Sequence, residues 1–363
     1  MNCNAFVVAF IATFASASQP PSLHAQDKRV PTFQLDPAWP KLPPQWRLGD
    51  VASVAVDAED HVWVLHRPRT LSDADLPKAA PPVLEFDGVG NFVQAWGGNG
   101  EGYQWPEREH GIYVDYKNNV WIGGNNAKER KLPRLKPVND DQILKFTRTG
   151  KFLMQIGQSD ASGGNADTIN FHQPADVFVY SKTNEAFVAD GYGNHRVIVL
   201  DADSGAFKRM WGAFGRKPQA PLGGAQPVLP RSKESGGPQH FNTVHFVRVS
   251  NDGLVYVADR GNHRIQVFTL DGKFIAQQFI TPEAEKLTSR AVAFSPDPQQ
   301  EFLYVGGQPE IWVLNRKTLD ILGSVASPNA HQFVTDSKGN IYTGETDERR
   351  SRKFVFRGIA PSK

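Results

Sequence analysis

The sequence predicts an all-β fold, a six-bladed β-propeller whose ring is closed by an N-terminal strand. Three observations carry that expectation. An opening pattern recurs six times, from Val51, His110, Ala175, His245, Arg290 and His331, as in VASVAVDAEDHVWVLHR, HGIYVDYKNNVWIGG and HFVRVSNDGLVYVADR. Most openings lead into a second pair of runs, such as VLEFDGVGNFVQAWG, VIVLDADSGAFKRMWG and IQVFTLDGKFIAQQ. Within each run Val, Ile, Phe, Tyr and Trp alternate with period two between DG, NN and SG turns, and no comparable helical periodicity accompanies them. Repeated units that each supply four short strands make propeller blades.

Taken in order, the chain begins with an apolar stretch, Ala5–Ala17, of 13 residues. That is too short to cross a bilayer and, followed by SLHA, reads as a signal peptide spanning residues 1–25 with a cut near Ala25. The expectation is an exported protein, periplasmic or secreted, with residues 26–363 forming the propeller. Cys3 is the only cysteine of the 363 residues and lies in the leader. The mature chain would then hold no disulfide, thiolate metal site or cysteine nucleophile. The last repeat supplies three strands, ending at Lys353–Phe356 (KFVF), and Pro31–Leu35 (PTFQL) is the segment left to complete it.

Propeller geometry also sorts the loops. Turns between strands one and two, and three and four, are short. The long connections, Pro68–Pro82, Asn99–Glu109, Asn125–Asp141, Gly157–Pro174 and Phe214–Thr243, all fall on the opposite, upper face, where a site is expected. A formal charge of +2 with scattered basic residues argues against a nucleic-acid partner. The one basic run, Lys128–Lys136 (KERKLPRLK), is interrupted by Pro133 and reads as a solvated rim able to attract an anionic substrate. Once the leader is removed no segment approaches transmembrane length, so a monomer without membrane insertion is expected.

Aligning the openings on the residue that enters the innermost strand gives Ala52, His110, Ala175, His245, Arg290 and His331. Histidine takes this register in blades two, four and six, using three of the chain's ten histidines. Alternate blades are related by about a third of a turn, so three imidazoles converge at the upper mouth of the channel. Three neutral histidines with an open position make a catalytic zinc site. Arg67 and Arg260, each 15 positions after the register residue of its blade, and Tyr192, 17 after Ala175, end second strands on the same face. The arginines suit a substrate carboxylate or developing negative charge, and the tyrosine suits a general base.

VAVDAEDHVWVLHR, EHGIYVD, NFHQPADVFV, VADGYGNHRVIVL, VADRGNHRIQVF and NAHQFVTDSKGNIYTGE together resemble the peptidyl-α-hydroxyglycine α-amidating lyase family, six-bladed propellers of the NHL-repeat type. The resemblance implies zinc on His110, His245 and His331, Tyr192 as base, and Arg67 and Arg260 as substrate-binding and charge-stabilising groups. It also implies a structural calcium held partly by the Val54 and Ile112 carbonyls. Gln332 stands where the family has an aspartate ligand, which removes a charge that calcium prefers. Asn194-His195-Arg196 and Asn262-His263-Arg264 occupy the NHL signature position and read as braces of their blades. The expected activity is zinc-dependent cleavage of the N–C bond of a carboxylate-bearing peptidyl-α-hydroxyglycine or related small molecule, giving an amide and glyoxylate. The alternatives are a non-catalytic NHL propeller that binds a peptide or protein partner, and a calcium-dependent lactonase-type hydrolase; the histidine triplet argues against the latter.

Overall fold

The computed structural model describes residues 29–220, 232–280, 289–306, 310–326 and 329–361, together with Met1. The signal-peptide expectation for residues 1–25 and Cys3 therefore lies outside the described residues, as does part of the Phe214–Thr243 connection. Six four-stranded antiparallel sheets form the six blades. The first five run in chain order, from Asp50–Val56, Val62–Arg67, Val83–Phe86 and Phe92–Trp96 in blade one to Ala291–Phe294, Phe302–Gly306, Glu310–Asn315 and Ile321–Ala326 in blade five. Among the described residues the only helical elements are four short 3-10 turns.

Blade six joins the two ends of the chain. Its strands are Gln332–Thr335, Ile341–Glu345, Arg350–Pro361 and, as the outermost, Arg29–Asp36. Phe33 stands opposite Phe356, and Asp36 opposite Lys353, which is the pairing of PTFQL with KFVF that the sequence predicts. An antiparallel ladder between distant segments is what keeps the ring from opening, because it ties the first strand to the last blade.

The turn residues have a specific task. In blade one the Asp57 carboxylate accepts the N–H groups of Glu59 at 3.1 Å and His61 at 2.8 Å, and the Trp63 indole N–H at 3.0 Å. Asp115 does the same for Lys117, Asn119 and Trp121, and Asp336 for Lys338, Asn340 and the Tyr342 hydroxyl. Each of these turns holds its fourth residue, Asp60, Asn118 or Gly339, at positive φ. Asp, Asn and Gly tolerate that conformation at least cost. The carboxylate thus ties an inner hairpin to an aromatic core residue.

The NHL signature residues brace their blades. Arg196 is fully buried, with Nε donating to Asp190 at 2.8 Å and Nη2 to the Asn170 carbonyl at 2.9 Å. Arg264 repeats the arrangement with Asp259 at 2.7 Å and Gln277 at 3.1 Å. The Asn194 and Asn262 side chains donate to the same two carboxylates. Buried guanidiniums are tolerable here because each has its own carboxylate.

Deleting residues 29–36 should strip the outer strand from blade six. A loss of several kcal/mol is expected, lowering the thermal midpoint by on the order of 10 °C. An unchanged midpoint in thermal unfolding would show that the closing strand is dispensable.

Candidate metal centre

Two of the three histidines stand at β-bulges. In blade two Glu109 pairs with Gly124 and Gly111 with Gly123, so His110 is the extra residue of its strand. In blade four Val244 pairs with Asp259 and Phe246 with Ala258, leaving His245 as the extra residue. A bulge re-aims one side chain without disturbing the strand around it. Gly111, next to His110, is required by contact: a Cβ there would fall 2.5 Å from the Ala175 carbonyl oxygen. His331 lies one residue ahead of the innermost strand of blade six, its N–H donating to the Gly344 carbonyl at 2.7 Å.

The three rings converge. Their centroids lie 5.0 Å apart for His110–His245, 4.8 Å for His110–His331 and 5.0 Å for His245–His331, with neighbouring planes near perpendicular. Each Nδ1 is held by a carbonyl of the next blade: His110 by Ala175 at 2.7 Å, His245 by Arg290 at 2.6 Å and His331 by Ala52 at 2.6 Å. A carbonyl only accepts, so Nδ1 carries the proton and Nε2 presents its lone pair. All three are buried, and burial, reinforced by neighbouring imidazoles and guanidiniums, holds their pKa values well below the ordinary histidine value. Neutral imidazoles with anchored Nδ1 and convergent Nε2 atoms fit a divalent transition metal.

Tyr192 enters this centre from blade three. A Cβ at Gly191 would lie 2.1 Å from the Val244 carbonyl oxygen, and one at Gly193 would lie 2.3 Å from the His172 ring. Glycine on both sides lets the tyrosine turn fit between blade four and the connection that carries His172. The phenol oxygen is 2.9 Å from His110 Nε2 and 3.1 Å from His245 Nε2, and accepts from Arg260 Nη1 at 3.1 Å. A metal on those Nε2 atoms requires the phenol's hydrogen bonds to them to break. Arg67 is almost fully buried; its Nε donates to the Glu109 carbonyl at 2.7 Å, while Nη2 is buried and lacks a hydrogen-bond partner.

Tyr192, Arg67, Arg260 and His331 line one cavity of about 320 Å³. It opens on the face of the long loops. Sequence reasoning missed three further guanidiniums in its wall, Arg108, Arg130 and Arg290. Arg290 stands in the same register as the histidines, and Arg130 belongs to the basic run read as a rim; register and charge were the available signals. Burial, reinforced by Arg67 and Arg130, pushes Arg108 down to about 9. Burial and the adjacent Arg260 push Arg290 down to about 10.

The calcium expectation finds less support in the residues present. Gln332 is fully buried and neither of its amide atoms has a partner, so blade six offers one neutral oxygen. In the same register of blade three Asp176 accepts from Arg248 on Oδ2 at 2.6 Å, so its charge is matched by that guanidinium, while Oδ1 has no hydrogen-bond partner. Backbone carbonyls such as those of Val54 and Ile112, with one amide, lack the anionic oxygens calcium favours, and the set does not fit. A second cluster, Asp57, His61 and Glu85, already holds the Arg148 guanidinium, which bonds to all three.

Metal analysis of the purified protein should find one divalent transition metal per chain. Altering a group that merely orients a ligand costs about 10–100-fold in affinity, so His245→Ala should weaken binding by more than that. Unchanged affinity in the variant would remove His245 from the centre.

The fold and site can be set against known proteins. An NHL-repeat family model matches residues 241–268, within blade four. The chain is 28% identical over 352 residues to "NHL repeat-containing protein 3" of Mus musculus, covering 90% of this chain and 84% of that protein. It is 25% identical over 338 residues to "Peptidyl-glycine alpha-amidating monooxygenase" of Mus musculus, covering 85% of this chain but 30% of that longer protein. It is 27% identical over 162 residues to "Probable peptidyl-alpha-hydroxyglycine alpha-amidating lyase pgal-1" of Caenorhabditis elegans, covering 44% of this chain and 36% of that one. The chain is thus a six-bladed propeller carrying an NHL repeat, distantly similar along most of its length to the NHL repeat-containing protein and the alpha-amidating monooxygenase, and over 44% of it to a probable amidating lyase.

Proposed function

We propose that the protein is a zinc-dependent lyase that splits the N–C bond of an N-acyl-α-hydroxyglycine. The observation that carries this reading is the set of three neutral, carbonyl-anchored imidazoles beside Tyr192, Arg67 and Arg260. The distant relative named as a probable amidating lyase supports the reaction class. His110, His245 and His331 would hold the zinc. Bound there, the ion supplies Lewis-acid polarisation of the substrate hydroxyl.

The chain's own groups do the rest. The unpartnered Nη2 of Arg67, with Arg260, binds the substrate carboxylate and fixes the α-carbon beside Tyr192. Tyr192 acts as the general base towards the substrate hydroxyl, with Arg260 donating to its oxygen. The C–N bond breaks as the carbonyl of glyoxylate forms, and the phenol returns the proton to the departing amide nitrogen. The products are an amide and glyoxylate, and neither water nor an oxidant is consumed. Burial of the imidazoles keeps bulk solvent from their Nε2 atoms and preserves the charge interactions the step needs.

The zinc-loaded protein should release glyoxylate from an N-acyl-α-hydroxyglycine, and a chelator should stop it. Tyr192→Phe should lower kcat by about 10²–10⁴ while leaving KM nearly unchanged, as expected for loss of a proton-transfer group. Full glyoxylate release by His110→Ala would contradict the assignment. Its absence from the wild-type, zinc-loaded protein would favour a binding propeller.

A further inference from the structure

Resting on that reading, we propose that the natural substrate carries a second carboxylate on the acyl side of the scissile amide, held where Arg108 and Arg130 meet. Among the described residues the cavity wall carries the guanidiniums of Arg67, Arg108, Arg130 and Arg260 beside two carboxylates, Asp50 and Asp347. Two of those four positive charges are left over, and the carboxylate of the hydroxyglycine carbon neutralises one.

The geometry of the arginines says that the excess is built for a ligand. Among the described residues, Arg67, Arg108, Arg130 and Arg260 form no ion pair within 4 Å, whereas the bracing residues Arg196 and Arg264 are each matched by a buried aspartate. Nη2 of Arg67, Nε of Arg130 and Nε of Arg260 are buried without a hydrogen-bond partner. Unsatisfied buried donors are costly, and three on one small cavity is a concentration that an anionic ligand relieves.

The position of the second carboxylate follows from an adjoining cavity of about 470 Å³, which shares Asp50, Arg67, Arg108 and Arg130 with the first. On the Asn125–Asp141 connection Leu132, Pro133 and Leu135 give it an apolar wall beside Arg134, which is paired with Asp73, while its carboxylates Glu107 and Glu109 are engaged by Arg69 and Lys136 and by the Trp105 indole. The chamber above the histidines contains no aliphatic side chain in its lining. An acyl chain leaving the scissile amide towards the apolar wall must pass Arg108 and Arg130. A neutral chain would leave those charges uncompensated; a carboxylate a few atoms from the amide would pair with them bidentately.

The test compares N-succinyl-α-hydroxyglycine with N-butanoyl-α-hydroxyglycine, which share a four-carbon acyl chain and differ in the terminal carboxylate. kcat/KM for glyoxylate release should favour the succinyl compound by at least about tenfold, the worth of one charge-assisted hydrogen bond. Arg130→Gln and Arg108→Gln should each bring the ratio to within about twofold of one, and a ratio is insensitive to the fraction of variant that folds. A wild-type ratio near or below one, or a preference retained in both variants, would overturn the proposal. If neither compound releases glyoxylate, the lyase reading fails and calorimetric binding decides this one alone. Succinate bound about tenfold more tightly than butanoate, with the difference lost in Arg130→Gln, would sustain it; equal affinities would overturn it.

Discussion

The metal centre depends on one interaction repeated three times, the hydrogen bond from a histidine Nδ1 to a carbonyl of the next blade. Blades two, four and six supply the imidazoles; blades three, five and one supply the carbonyls of Ala175, Arg290 and Ala52. Donors and acceptors occupy the same register of the innermost strand. The six blades therefore alternate around the channel, ligand then anchor, and each histidine's Nδ1 is fixed by the blade after its own. The last of these bonds spans the seam of the ring, from His331 to Ala52. The outer-strand pairing of residues 29–36 with the C-terminal strand keeps the blades that share that bond in one closed ring.

The charge pattern follows from where each arginine sits. In the bracing positions a guanidinium is enclosed by protein and matched by an aspartate, so it stiffens a blade and is silent electrostatically. At the upper mouth guanidiniums come from the ends of second strands, from register position Arg290 and from two long connections. Among the described residues Arg67, Arg108, Arg130 and Arg260 face a cavity and form no ion pair. Their mutual repulsion and burial make the empty mouth unfavourable, and that strain is relieved by an anion. The same fold uses one residue type for structure in the blade interior and for recognition at the channel mouth.

Much of this was legible in the sequence because a propeller has a strict register. The six openings could be aligned by strand period and turn chemistry alone. Histidine in every second copy followed from that alignment, as did Arg67, Tyr192 and Arg260 on the same face. The closing strand was legible because the last repeat ran out of strands. What stayed hidden depends on contacts between copies. The bulges at His110 and His245 alter neither composition nor period, and they determine where the imidazoles point. The anchoring partners are backbone carbonyls, which carry no side-chain signature. The need for Gly191 and Gly193 arises from the approach of Val244 and His172, which local sequence does not show. Arg130 read as part of a solvated rim because nothing local shows a loop folding back over the channel.

The central claim is that three imidazoles from alternate blades bind one metal ion. X-ray absorption at the zinc edge of the zinc-loaded protein tests it most directly. The account predicts three imidazole nitrogens at about 2.0–2.1 Å, with one further light-atom ligand. A first shell of oxygens with one imidazole or none would contradict it.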